Sequence, residues 1–360
     1  MLTSEMIKKA AFEAGADLCG IGPMSRFEGA PPEMDPRRLF PHAKSVIGFA
    51  FRIPRGVQRG IEEGTQFYQY PSMAYGGINE IHAPAVLYHV GKVIEDEGYE
   101  AVVYRNTGAR GVVSDMDGTP GNTLSPEEQI EISQHAKGKT AHHRSVQFTR
   151  EVEEGKSPPD LQFQFRLAAV ACGLGEIGWS KMLLTPEFGP LQRVAFLFTD
   201  AELEPDPIYD GPALCRKCMA CVRECPGHCI PSIKDNNSCS ATIEGHTYEW
   251  GNIDMWRCYA FYTHAGRYYN PFVPKEVFDK NTGSLDLLED FDNKMVADEK
   301  MVTELYNELE KYFPTWVGYN MAKCGGCIRA CVSMLEKKGG CMEGRFKEPL
   351  RTGKAWKMDR

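Results

Sequence analysis

Residues 215–226 read Cys215-Arg-Lys-Cys218-Met-Ala-Cys221-Val-Arg-Glu-Cys225-Pro226. Two residues separate each of the first three thiols, three precede the fourth, and proline follows. A turn of this spacing lets three thiolates converge on one iron–sulfur cubane, while the fourth continues into a short helix and serves a second cluster. Such a run needs a partner, and residues 324–331 supply it as Cys324-Gly-Gly-Cys327-Ile-Arg-Ala-Cys331.

The spacing is that of bacterial two-cluster ferredoxins, which assigns ligands crosswise. Cys215, Cys218, Cys221 and Cys331 are the expected ligands of a first 4Fe–4S cluster. Cys225, Cys324 and Cys327 belong to a second, with a fourth thiol drawn from Cys229, Cys239 or Cys258. Cys258 is the choice, because it stands in the aromatic stretch Trp256-Arg-Cys258-Tyr-Ala-Phe-Tyr262; Cys229, close behind Cys225, is expected to face away. Cys331 precedes Val332 where proline is usual. Zinc on paired Cys-x2-Cys motifs is the competing reading, but zinc needs neither a third cysteine at the same spacing nor the Cys-Pro that follows.

The chain carries 13 cysteines among 360 residues. Only Cys19 and Cys172 precede residue 215, so the two halves of the chain read as different modules. With Cys239 and Cys341, these two are expected to be packed thiols. The odd count favours metal or redox chemistry over disulfides in a reducing compartment. Hydrophobic residues at 42% and charged residues at 25% describe a globular chain. The net charge of −8 speaks against nucleic acid or an anionic membrane as a default partner. The first residues form an amphipathic pattern containing Glu5 and Glu13 and no twin arginine, so a cytoplasmic location without membrane contact is expected.

Helices are expected over 4–14, with Ser4 as cap, over 81–97 and over 162–171; strands are expected over 18–21, 45–51, 100–104 and 193–199. Residues 106–125 read as a loop, and Ser125-Pro-Glu-Glu128 as a helix start. The alternation predicts an α+β layered core over 1–204. A proline-rich, acidic link (201–213) then leads into a cluster-bearing domain, 205–360, with a charged helical insertion around 275–318. His135, His142 and His143 read as exposed rather than as a further metal site.

Ahead of the link stand Cys172-Gly-Leu-Gly-Glu-Ile-Gly178, Leu184-Thr-Pro-Glu-Phe-Gly-Pro190, Arg193 and Thr199-Asp200. With the crossed cysteine runs, these make the chain resemble the corrinoid-dependent reductive dehalogenases over about residues 70–340. More distantly it is similar to epoxyqueuosine reductase. The resemblance implies a nitroreductase-like core holding base-off cobalamin beside a ferredoxin-like domain with two 4Fe–4S clusters. Gly173, Leu174, Gly175, Gly178, Pro186, Phe188 and Gly189 are then the corrinoid contacts, the glycines letting backbone approach a macrocycle. Trp179 and Lys181 stand where the dehalogenases usually carry an arginine.

The resemblance also implies a tyrosine proton donor beside a basic residue, since a cation stabilises the phenolate. By position these are Tyr75 and Arg144, with Tyr104 second for the donor and Asp160 a third candidate. The implied reaction is reductive loss of a leaving group, halide foremost, from a small organic substrate. Electrons would come from a low-potential donor such as ferredoxin or flavodoxin. The alternatives are epoxyqueuosine reduction on tRNA and a non-catalytic electron carrier or corrinoid activator. Substrate identity and oligomeric state are not legible.

Overall fold

Helix α1 (Ser4–Ala14) buries Ile7, Ala10 and Ala11, one helical stripe. Its cap is Thr3 rather than Ser4. The Thr3 hydroxyl accepts the Met6 N–H at 3.2 Å, while the Ser4 hydroxyl donates to the Glu204 carbonyl at 2.7 Å. The computed structural model describes residues 2–30, 35–65, 69–106, 152–153, 164–264, 276 and 326–351. The loop at 106–125, the helix start at Ser125, the histidines at 135–143 and nearly all of the insertion at 275–318 lie outside these residues.

The described strands are β1 (Leu18–Pro23), β2 (Ser45–Arg52), β3 (Ala101–Tyr104), β4 (Glu176–Ile177), β5 (Leu183–Leu184), β6 (Gln192–Thr199), β7 (Ser238–Ile243) and β8 (His246–Gly251). Four of them form the main sheet in the order β1-β2-β6-β3, every pair antiparallel. The sequence-predicted strands all appear, within a few residues of their expected ends. β2 and β6 are buried on both faces because they are central, which explains their near-continuous apolar runs.

The two faces carry separate cores. Ile47, Phe49, Phe51, Ala195 and Leu197 meet α1 and helix Ala83–Asp96 on one side. Val46, Ala50, Val194, Phe196 and Phe198 meet helix Phe165–Ala171 on the other. The cysteine-rich half completes both cores. Helix Gly326–Leu335 inserts Ile328, Val332 and Leu335 into the first, and hairpin β7–β8 inserts Cys239, Ile243 and Trp250 into the second.

A buried ion cluster clamps the same join. Glu62 accepts from Arg329 Nε at 3.0 Å and from Arg351 Nε. Arg55 pairs with Glu336 at 2.6 Å, with both side chains largely buried.

Several elements were not foreseen, among them a π-helix and a hairpin. A π-helix, Pro71–His82, runs directly into helix Ala83–Asp96. Hairpin β7–β8 turns at Glu244 and Gly245, which adopt φ of 46° and 82°. Its signal was an X-Gly pair between two alternating runs.

Candidate functional site

Arg193, near the start of β6, projects on the same side of the sheet as Ala195 and Leu197. Its guanidinium carbon lies 4.2 Å from the centroid of the Tyr75 ring, and its Nε donates to Asn79 Oδ1 at 3.0 Å. Tyr75 and Asn79 both belong to the π-helix, whose wide turn aligns residues four to five apart. Tyr70, just ahead of it, is buried, with its ring 5.9 Å from that of Tyr75. Tyr262 stands 6.2 Å from Tyr75 on the far side. Burial pushes the Tyr70 hydroxyl up and Tyr75 adds to this, while Arg193 opposes it by charge and by a hydrogen bond.

Tyr104 is elsewhere. It packs on Phe165 and Phe198, in the core of the opposite sheet face. Arg144 and Asp160 lie outside the described residues. The cation that Tyr75 meets is Arg193, not the Arg144 expected from position.

Helix Gly326–Leu335 packs against the short helix Ala220–Arg223, which brings Cys327 and Cys331 toward the first run. Cys331 is pushed up by burial and by the nearby thiols of Cys215, Cys221 and Cys218. Cys221 is pushed up to about 11 by burial and by Cys215 and Cys218. Thiols that oppose one another's ionisation need a cationic centre to become thiolates together. The turn closes because Lys217 and Met219 both take left-handed backbone, φ 48° and 57°. Among these four, Cys218 is the exposed one.

A second group forms deeper. Cys225, Cys229, Cys258 and Cys327 gather around Trp179, Ile230 and Ile253. Here the expectation for Cys229 needs correcting. It does not face away: its buried thiol hydrogen-bonds both Cys225 and Cys258, and its N–H donates to Cys225 Sγ at 3.3 Å. The chain reverses there through His228, φ 47°, which folds Cys229 back. Cys324 lies outside the described residues. The donors are those an iron–sulfur cluster takes, and the N–H groups of Trp179 and Cys229 are aimed at the sulfurs of Cys215 and Cys225. Among the described residues no three of these side chains stand close enough as they are to hold a metal ion. Cys327 also packs against the core that holds Tyr70 and borders Tyr75.

The glycine block does something other than expected. A Cβ on Gly173 would stand 2.3 Å from the Pro207 carbonyl oxygen, and one on Gly175 2.0 Å from that of Leu184. What approaches these glycines is the chain itself, not an open cradle. Leu174 is core, and Gly178 packs on the Leu184 side chain. Phe188 lies between Arg52 and Arg345, with each guanidinium under 6 Å from its ring. Gly189 abuts Leu335 and Met342, and Pro186 sits half-buried in the turn closed by Thr185 and Gly189. These contacts do not fit a macrocycle seat.

The block instead grips the first cysteine run. Glu176 Oε1 accepts the Cys215 N–H at 2.6 Å, and the Trp179 N–H donates to Cys215 Sγ at 3.3 Å. The Trp179 indole donates to the Pro231 carbonyl at 2.8 Å. A cleft of about 530 Å³ opens here, walled by Glu176, Cys215, Lys217, Ser238 and Tyr248.

No protein-family model matches the chain. A tetrachloroethene reductive dehalogenase of Desulfitobacterium hafniense (strain Y51) is 30% identical over 159 residues, 42% of this chain and 27% of that one. An epoxyqueuosine reductase of Synechococcus sp. (strain CC9605) is 39% identical over 80 residues, 21% of this chain and 24% of that one. This chain is similar to the reductive dehalogenases. Those relatives are oxidoreductases, and the matches span less than a third of their length. Among solved structures, the catabolic reductive dehalogenase NpRdhA aligns at 17% identity with TM-score 0.45, covering 72% of this chain and 29% of that one. No described helix is long and apolar enough to cross a membrane.

Sequence reasoning missed Arg193 and Asn79 as site residues. Arg193 had been quoted only as part of a motif. Its one signal was a cation in an otherwise apolar central strand, where charge is costly unless paired.

Proposed function

We propose that this chain is an iron–sulfur reductase that removes a leaving group, halide foremost, from a small organic molecule. The observation that supports this reading is that Cys327, from the second cysteine run, packs against the same core as Tyr70 and Tyr75, and Tyr70 in turn touches both Tyr75 and Arg193. A thiol of the second run and the proposed proton source thus border one core, as a reductive substitution requires. The balance is one carbon–halogen bond, two electrons and one proton in, and one carbon–hydrogen bond and one halide out.

Cys215, Cys218, Cys221 and Cys331 would hold one 4Fe–4S cluster. Cys225, Cys258, Cys324 and Cys327 would hold the other. The clusters, with a corrinoid when bound, supply one-electron transfer at low potential. Tyr75 gives the proton from its hydroxyl. Arg193 stands over its ring and favours the phenolate left behind. Asn79 fixes Arg193 by accepting its Nε–H. Tyr70 and Tyr262 flank Tyr75 and limit water around it. The corrinoid rests on the family likeness alone, because the glycine block is filled by the chain's own packing. Ferredoxin or flavodoxin would be the electron donor, in the cytoplasm.

Protein purified without oxygen should carry roughly eight irons per chain, show corrin absorption bands, and turn over haloaromatic compounds with a reduced dye. Iron without dehalogenation would leave a carrier, and zinc in place of iron would overturn the reading. The epoxyqueuosine reductase match supports tRNA as a second substrate class; a gel shift with tRNA separates the two, and the charge of −8 predicts none.

A further inference from the structure

We infer that the exposed face around Cys218 is the docking surface for a small acidic ferredoxin that delivers electrons to this chain. The inference rests on the proposed reading of Cys215, Cys218, Cys221 and Cys331 as ligands of one cluster.

The first observation is depth. Cys218 is exposed, Cys215, Cys221 and Cys331 are half-buried, and Cys225 and Cys229 are buried. Cys327, of the deeper group, packs against the core that holds Tyr70, beside the Tyr75–Arg193 pair. The thiols therefore run from solvent at Cys218 inward to that core. The outer end of this line is the only point along it where a sulfur ligand is open to another protein, among the described residues.

The second observation is charge. Arg216, Lys217, Arg223, Lys337, Lys338 and Arg345 are all exposed here. Arg223 Nη1 donates to the Cys218 carbonyl at 3.1 Å. The Arg216 guanidinium lies against Gly339, 3.1 Å from where a Cβ would stand, so the turn after Lys337 and Lys338 abuts the Cys215–Cys221 loop. Arg216 and Arg345 both bear on Cys341, which neighbours Cys331. Four carboxylates stand on this face or border it: Glu249, paired with Lys217 at 2.5 Å, Glu343, which accepts the Gly339 N–H at 2.5 Å, Glu176, which accepts the Cys215 N–H at 2.6 Å, and Glu187, which bears on Cys341 as the two arginines do.

Six cations against four acids, in a chain of net charge −8, leave this face net positive. A patch of one sign steers a partner of the other and speeds encounter, and salt weakens the effect. A one-electron iron–sulfur acceptor at the surface matches a low-potential iron–sulfur carrier, since plant-type ferredoxins lie near roughly −400 mV. In each encounter the reduced ferredoxin loses one electron and the chain's cluster gains it. No bond is made or broken, and two encounters serve one substrate molecule.

The test uses the full chain, iron-loaded and kept from oxygen, with an oxidised acidic plant-type ferredoxin as the probe. Binding is measured by calorimetry at low and at near-physiological salt. The double substitution Lys337→Glu and Lys338→Glu, remote in sequence from every proposed ligand except the Cys331 helix, should weaken binding at least tenfold at low salt. Lys92→Glu, on helix Ala83–Asp96, should leave it unchanged. Cluster bleaching by dithionite should be the same in all three proteins. Salt-independent binding, or a double variant that binds like the parent, would overturn the docking surface; tighter binding of flavodoxin than of ferredoxin would overturn the choice of partner. A parent chain that dithionite does not bleach would instead sink the cluster reading beneath it.

Discussion

The guanidinium of Arg193 and the ring of Tyr75 form a face-on pair, 4.2 Å from carbon to centroid, held by the hydrogen bond to Asn79 at 3.0 Å. One partner comes from a central strand and the other from a π-helix more than a hundred residues earlier. A cation so placed favours the charged form of the phenol over the neutral one, which is what a proton donor needs once it has given its proton up.

Tyr75→Phe should keep the fold and lower turnover by about 10² to 10⁴, the usual worth of a positioned proton donor. Tyr104→Phe, on the other sheet face, should leave turnover unchanged. Steady-state dehalogenation with a reduced dye reads both. Equal losses in the two variants would remove Tyr75 from the chemistry.

Arg193→Lys keeps the charge but loses the planar group that stacks on the ring and meets Asn79. Turnover should fall at least tenfold while denaturant unfolding stays close to that of the parent. Full turnover in the variant would make Arg193 a packing residue only.

Cys258→Ala should lower the iron content from roughly eight to roughly four per chain, and Cys229→Ala should leave it near eight. Iron analysis of the two purified variants decides between them. The reverse pattern would exchange the two thiols, a real contest because Cys229 touches both Cys225 and Cys258.

Glu62→Gln should destabilise the chain by about 3 to 5 kcal/mol, because Arg329 stays buried without its counter-charge. Denaturant unfolding measures it. Since Arg351 shares the same carboxylate, the C-terminal segment around Leu350 should also lose its protection from protease.

Cys19 is pushed up to about 12, chiefly by burial, and Cys172 is raised further. Only about one Cys19 thiol in 10⁴ is thiolate at pH 8, and that fraction rises tenfold per pH unit toward 12. Iodoacetamide should therefore leave both unlabelled in native protein at pH 8 and modify them once denaturant is added. Mass spectrometry locates the label. Rapid labelling of Cys19 in the native state would contradict its packing.

The sequence alone marked the two cysteine runs as partners, because fixed thiol spacing within one turn leaves few ways to meet a cubane. It also determined the strands of the central sheet, whose buried runs admit no other state. Loop 106–125, Arg144 and Asp160 lie outside the described residues, so nothing in the fold bears on them.

Tertiary structure decided the rest. The glycines of 173–178 read equally as ligand cradle or tight packing, and only the positions of Pro207 and Leu184 chose packing. A cation in an apolar strand marked Arg193 as needing a partner without naming one, since that partner comes from a π-helix brought against β6 across more than a hundred residues. Spacing along the chain encodes what one turn can hold; which distant side chain stands over a ring depends on how two faces pack, and no short window of sequence contains that.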